Sequence, residues 1–198
     1  GKFSGDAAPM RSMFSRENGP YIALTTIALE MKRNAIRKQQ QAEAFIKAEN
    51  LNTLDVFEDN AKMGIITSGL SYLSVLDTYE AARYHPDILK LGVVNPIEKD
   101  CILDFLNAHE QVLVIEELDD ILELQIKSIA YDHGLTTKIY GKNDDEDFIG
   151  EYTPDKTQAK LKNVWPEMFD EQSADAPVAF EVPARPAQMC PGCGHRSA

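Results

Sequence analysis

The sequence predicts an α/β fold: a mostly parallel sheet of four or more strands with flanking helices, a long N-terminal helix and an extended C-terminal linker. Three observations carry this. The runs at 64–67, 88–94 and 112–115 are short, rich in Ile, Val and Leu, and show no polar alternation, as strands covered on both faces do. Stretches with helical periodicity separate them, and strands that alternate with helices need crossovers and so pair in parallel. A fourth β-rich run at 136–140, bounded by Gly141, extends the sheet.

Taken in order, residues 1–19 have no sustained period and read as an irregular connection, with Arg11 and Arg16 as solvated loop cations rather than phosphate contacts. Residues 20–50 read as one long helix. Pro20 suits a first turn, where its missing N–H costs nothing, and Leu24, Ile27, Ala28, Met31, Ala35, Ala42, Phe45 and Ile46 recur at helical spacing. The section between them, 32–41, is basic and glutamine-rich. Its apolar stripe is too thin for a membrane surface, so it reads as a solvent-bridging, connecting helix.

Residues 50–62 are polar and serve as the approach to the first strand. After 64–67, Ser68-Gly69 turns into a helix over 70–83. A strand–Gly–helix junction can hold a phosphate on the helix N-terminus, but one Gly stands where phosphate loops use several, which favours a plain turn. Tyr84-His85-Pro86 breaks that helix. Asn95-Pro96 opens the next, with its body over 98–107 and Cys101 packing as a small apolar side chain. The run 112–115 leads into Glu116-Glu117. Ligands in open α/β sheets sit at the carboxyl ends of the strands, so Glu116 is a candidate binding residue, set against the simpler role of a carboxylate at a helix start. Residues 118–133 form a third helix closed by Gly134. His85, His109 and His133 have no ligand partner nearby in sequence and read as surface residues. The acidic run 143–147 fails the calcium-loop test, because Phe148 and Pro154 stand where a Gly and a Glu are required; it reads as a solvated loop. A short helix follows over 152–164, ended by Trp165-Pro166.

The expected organisation is therefore a connecting segment with the long helix (1–62), an α/β domain (63–141), an acidic loop, short helix and Pro-rich linker (142–187), and the start of a further domain (188–198). The first residue is Gly rather than Met, and the last motif stops close to the chain end, which reads as a piece of a longer polypeptide. Hydrophobic content of 43% and charged content of 26% are those of a soluble globular chain with a real core. A net charge of −12 argues against nucleic acid and anionic membranes as partners, and no apolar run approaches the roughly 20 residues of a membrane span. Three cysteines, two of them in one motif, make no disulfide framework, so a cytoplasmic location is expected.

The stretch with chemical specificity is Cys190-Pro191-Gly192-Cys193-Gly194-His195-Arg196. Gly194 separates Cys193 from His195, so the motif is not a c-type haem site, and it follows a proline-rich linker rather than a strand, unlike a redox C-x-x-C. Two sulfurs brought together by Pro-Gly suit a metal centre. Zinc would take Cys190, Cys193 and His195 and still lack a ligand; an iron–sulfur cluster would need further thiolates from beyond Ala198.

Joined together, Gly-Ile-Ile-Thr-Ser-Gly-Leu-Ser-Tyr (64–72), Leu-Lys-Leu-Gly-Val-Val-Asn-Pro (89–96), Val-Leu-Val-Ile-Glu-Glu-Leu (112–118) and the Arg-Pro-x-x-x-Cys-Pro-Gly-Cys-Gly-His-Arg stretch (185–196) resemble the α subunits of indolepyruvate:ferredoxin oxidoreductases, within the 2-oxoacid:ferredoxin oxidoreductase family. The resemblance runs from Met63 to Ala198. It implies a transketolase-C-terminal-like middle domain that scaffolds and makes subunit contacts, entered from a pyrimidine-binding domain and left toward a diphosphate-binding one. It also implies thiamine diphosphate with Mg²⁺, a 4Fe–4S cluster, and CoA as co-substrate, mostly bound outside this segment. The partners it implies are a β subunit, ferredoxin and a 2-oxo acid. In related pyruvate enzymes the matching cysteine pair ligates a cluster, which makes Cys190 and Cys193 candidate ligands; Gly194 stands where the indolepyruvate branch often has Pro. No catalytic residue is expected within the segment. The rival expectation is a non-enzymatic scaffold whose C-x-x-C binds structural zinc.

Overall fold

The computed structural model describes residues 25–170. Five strands form one sheet: β1 (Thr53–Asp55), β2 (Met63–Ser68), β3 (Asp87–Leu91), β4 (Gln111–Ile115) and β5 (Lys138–Tyr140), in the order β1-β3-β2-β4-β5. The four strands β3, β2, β4 and β5 run parallel, with Ile66 opposite Leu89 on one side and Val114 on the other. The mostly parallel sheet is as expected. The exception is β1, inside the polar stretch before the first expected strand, which pairs antiparallel with β3 through Leu54 and Leu89. Three residues suffice there because an edge strand needs only one partner.

Side chains of successive strand residues alternate between faces, and the sheet carries a core on each. Ile66, Leu89, Val112 and Val114 pack under α3 (Lys99–Ala108) and α4 (Ile121–Asp132). Ile65, Ile88, Leu113 and Ile115 pack under α2 (Ser71–Tyr79) and α5 (Pro154–Val164). The second core also draws in Tyr152, Leu161, Trp165, Met168 and Phe169, so the segment after β5 is built into the sheet's cover. Thr153 caps α5, with Pro154 in its first turn. Helix α2 is shorter than the sequence suggests, ending at Tyr79, and α3 starts at Lys99, with Asn95–Pro96 left in the preceding turn as a cis peptide. Cys101 is half-buried against the first core, and burial pushes its thiol up to about 11; it packs as expected.

The long helix α1 (Thr25–Ala48) docks through its last turns. Ile46 is buried, Lys47 Nζ lies 2.6 Å from Asp100, and Glu43 accepts the Lys99 N–H at 3.3 Å. Upstream of Ala42 its described side chains are exposed or half-exposed. The expected linker over 170–187 and the cysteine motif lie outside the described residues, apart from Asp170.

Two readings of polar residues are corrected. His109 is not on the surface: only 6% exposed, it precedes β4, with Nδ1 2.7 Å from the Phe105 carbonyl and Nε2 3.0 Å from Asp87 Oδ2. Both ring nitrogens lie within hydrogen-bond distance of oxygens, and Asp87 also accepts from the Phe57 N–H and Asn60. The acidic run 143–147 is not wholly solvated either. Asp147 is buried, pairs with Lys160, and accepts from the Asn143 N–H and the Tyr152 hydroxyl. This hub ties β5 to α5. Burial alone would raise the Asp147 carboxyl, but the bonds from Lys160, Asn143 and Tyr152 outweigh it and hold it below its ordinary 3.8. A depressed folded value means the stability is present above the unfolded value and lost as pH falls through the folded one. Asp147→Asn should therefore lose about 3–5 kcal/mol at neutral pH, the cost of stranding Lys160, and flatten the acid limb of stability below about pH 4. Urea unfolding at a series of pH values reads both.

Candidate functional site

Parallel strands deliver all their carboxyl ends to one edge, and the helices that follow begin there. From β2 the chain turns to α2 and moves toward β3; from β4 it turns to α4 on the opposite face and moves toward β5. The two connections part between β2 and β4, the topological switch point where α/β sheets bind ligands. A cleft of about 710 Å³ opens there. Its walls include Ser68, Gly69 and Ser71 from the β2–α2 turn, Asn95 from beyond β3, and Glu116 and Leu122 from the β4–α4 turn.

Each helix start leaves backbone N–H groups without intrahelical partners. At α4 the Glu116 carboxylate takes two of them, Leu122 N at 2.8 Å and Glu123 N at 2.7 Å. The α3 start receives Glu43 from α1, and the α5 start receives Thr153. Helix α2 receives no side chain on its first turn among the described residues. Its approach is shaped by Gly69, whose φ of +59° is one that residues with a Cβ seldom adopt. Ser71 lines the cleft at 2% exposure, and its hydroxyl makes no hydrogen bond among the described residues. One strand position before Ser68, the Thr67 hydroxyl is buried without a partner. Facing this uncapped start across the cleft, Leu118 holds a left-handed φ of +57° and stands exposed with Ile121.

Behind the Glu116 wall lies a ring of charges. Lys142 Nζ donates to the Glu116 and Asp147 carbonyls at 2.6 and 2.7 Å, and Glu123 pairs with Lys127 while accepting the Lys142 N–H at 2.8 Å. Gly141 permits this, since a Cβ there would lie 1.9 Å from Glu123 Cδ. Burial raises the Glu116 carboxyl, with the two helix N–H groups pulling the other way, and burial lowers the Lys142 ammonium.

Glu116 thus stands at the cleft, where a strand-end carboxylate was expected, with both oxygens engaged by α4. The uncapped α2 start and the buried Ser71 are what sequence reading missed; the Ser68-Gly69 turn was the visible signal, and the missing cap shows only in three dimensions. Cys190 and Cys193, like Arg11 and Arg16, lie outside the described residues. Among the described residues no three His, Cys, Asp or Glu side chains gather as a metal site, and no helix is long and apolar enough to cross a membrane. Replacing Glu116 by Ala should cost about 1–2 kcal/mol, the value of a lost helix cap, and loosen the β4–α4 turn. Denaturant midpoints, with amide exchange at Leu122 and Glu123 as the local readout, measure it.

Comparison with known proteins gives a consistent set of relatives. The sequence model of the indolepyruvate oxidoreductase domain matches residues 55–165. Indolepyruvate oxidoreductase subunit IorA of Methanothermobacter marburgensis is 28% identical over 192 residues, which is 96% of this chain and 31% of that protein. The subunit IorA of Thermococcus kodakarensis is 33% identical over 153 residues, 71% of this chain and 22% of that protein. The chain thus spans a third or less of the length of these curated relatives. Among solved structures, a split-gene transketolase, an inactive β4 tetramer, aligns with 55% of this chain and 37% of its own at 18% identity and a TM-score of 0.40.

Proposed function

The chain belongs to the indolepyruvate oxidoreductase domain family, and on that premise we propose that it is one domain of a thiamine-diphosphate-dependent 2-oxoacid:ferredoxin oxidoreductase. The proposed reaction takes indolepyruvate or a similar arylpyruvate to its acyl-CoA and passes the electrons to ferredoxin, with a β subunit completing the enzyme. When bound, thiamine diphosphate with Mg²⁺ supplies the decarboxylation and an iron–sulfur centre takes electrons singly. The part proposed for this domain is binding and assembly, and Cys190 and Cys193 are the chain's proposed cluster ligands.

The observation that carries the domain's role is the uncapped α2 start at the switch-point cleft. Its N–H groups and helix dipole suit an anion, and the Ser71 hydroxyl on the cleft wall adds a donor. CoA is one of the anionic participants in the proposed reaction, beside the 2-oxo acid and thiamine diphosphate. Its phosphates fit this corner, and the apolar lips of the cleft suit its pantetheine arm. Glu116 does not repel it as a free carboxylate would, because α4 already holds its charge.

Dye reduction by the anaerobically purified complex tests both levels. Indolepyruvate, CoA and thiamine diphosphate together should give reduction, with pyruvate a poor substitute. Ser71→Ala should raise KM for CoA about tenfold to a hundredfold, the worth of one charge-assisted hydrogen bond, and leave KM for the 2-oxo acid in place. An unchanged KM for CoA would take CoA out of the cleft. Failure of cofactor-loaded protein with every 2-oxo acid would remove the oxidoreductase reading and leave a scaffold with structural zinc.

A further inference from the structure

One lysine behind the Glu116 wall is held unlike its neighbours. Lys127 and Lys160 meet carboxylates. Lys142 turns its Nζ to two backbone carbonyls instead, that of Glu116 at 2.6 Å and that of Asp147 at 2.7 Å. The ring centroids of Phe148 and Tyr152 each lie 5.3 Å from the same atom, within reach of a cation–π attraction. Its backbone is fixed as well, the N–H donating to Glu123 Oε2 at 2.8 Å. Burial lowers the ammonium, and the charges of Glu116 and Asp147 oppose that. Neutral donors could serve two carbonyls, so a cation kept here at a desolvation cost points to a use for its charge.

What Lys142 holds is the cleft wall. Glu116 is tied at both ends, its carbonyl to Lys142 and its carboxylate to the Leu122 and Glu123 N–H groups of α4. The turn that follows carries Leu118 at a φ of +57°, a conformation that persists in a bulky residue only where its surroundings impose it. The wall is also acidic. Glu116, Glu117 and Asp119 line the cleft, and no Lys or Arg is among the described residues that line it. An anion seated at the α2 start therefore faces carboxylates. Burial raises the Glu116 carboxyl, and the α4 N–H groups and then the Lys142 charge bring it back.

We propose that Lys142 is the positioning residue of the cleft: it holds the Glu116 carbonyl in place and offsets the charge of the acidic wall, so that the α2 side can take the phosphates of CoA. The inference rests on the CoA reading of the cleft. Lys142 acts through Glu116, because it stands behind the wall and is not one of the lining residues. Its bond to the Asp147 carbonyl extends the hold to the buried hub, so the segment after β5 helps to set a cleft built at the ends of β2 and β4. A lysine that served the fold alone would lower stability when replaced and treat the two substrates alike.

Steady-state kinetics of the purified complex separate these roles. Lys142→Met should raise KM for CoA about tenfold, with kcat at saturating CoA and KM for the 2-oxo acid within about twofold of the parent. Lys142→Arg keeps a permanent charge and should stay within about threefold of the parent. Adding Glu116→Gln to Lys142→Met removes the charge that Lys142 offsets and leaves α4 an acceptor. KM for CoA should then return to within about threefold of the value for Glu116→Gln alone. Without CoA, amide exchange at Leu122 and Glu123 should be faster in Lys142→Met, which reads the held turn directly. Circular dichroism confirms that each variant is folded. Equal rises in both KM values, no recovery in the double variant, or unaltered exchange at Leu122 and Glu123 would each overturn the proposal. A KM for CoA that moves with Ser71→Ala and not with Lys142→Met overturns it alone. One that moves with neither takes CoA out of the cleft, and the inference falls with that reading.

Discussion

The structure depends on one constraint: a parallel sheet gathers the starts of the helices that follow its strands at one edge, and the N–H groups exposed there must find acceptors. The chain meets it helix by helix with carboxylates and a hydroxyl from elsewhere in the fold. Glu116 closes α4 across its own turn, Glu43 closes α3 from α1, and Thr153 closes α5. These contacts set where α1 attaches and how β4 turns into α4. Helix α2 is the start left without a side chain, and it begins on the switch-point cleft. The binding role proposed for this domain rests on that omission more than on any reactive side chain.

The sheet's far edge is held differently. Beyond β5 the backbone is anchored by buried charge, with Asp147 and Lys160 joined through Asn143 and Tyr152. Gly141 lets the Glu123 carboxylate approach the chain closely enough to accept Lys142 N–H. At the opposite edge of the parallel set, Asp87 and His109 join the entrances of β3 and β4, the histidine bonded at both nitrogens. Such pairs are costly to bury and more costly to break. They hold the strand entrances and the covering segments in place, and Lys142 joins the Asp147 side to the Glu116 wall of the cleft.

Much of this was legible in the sequence, and the exceptions have physical causes. The Ile, Val and Leu runs of β2, β3 and β4 announce themselves because both faces are covered, so nothing polar interrupts them. The edge strand β1 has one partner and an exposed side; Thr53-Leu54-Asp55 reads as the polar stretch around it. Asp147 sits in a run of acidic residues, and sequence cannot single out the one that Lys160 meets thirteen positions later. His109 and Asp87 are 22 residues apart and meet only because parallel pairing aligns the strand starts. Glu116 was visible at its strand end, but whether a carboxylate there holds a ligand or a helix is decided by geometry. The cleft itself was half legible: Ser68-Gly69 marked the turn, while the unpartnered Ser71 hydroxyl required the packed helix.

The central claim is that a ligand completes the α2 start, and amide hydrogen exchange measures the atoms concerned. In the purified complex, CoA should slow exchange over residues 68–74, the β2–α2 turn and first turn of α2, and leave β1 and the Asp147 hub unchanged. Exchange unaltered over 68–74 at saturating CoA, or protection confined to another region, would contradict it.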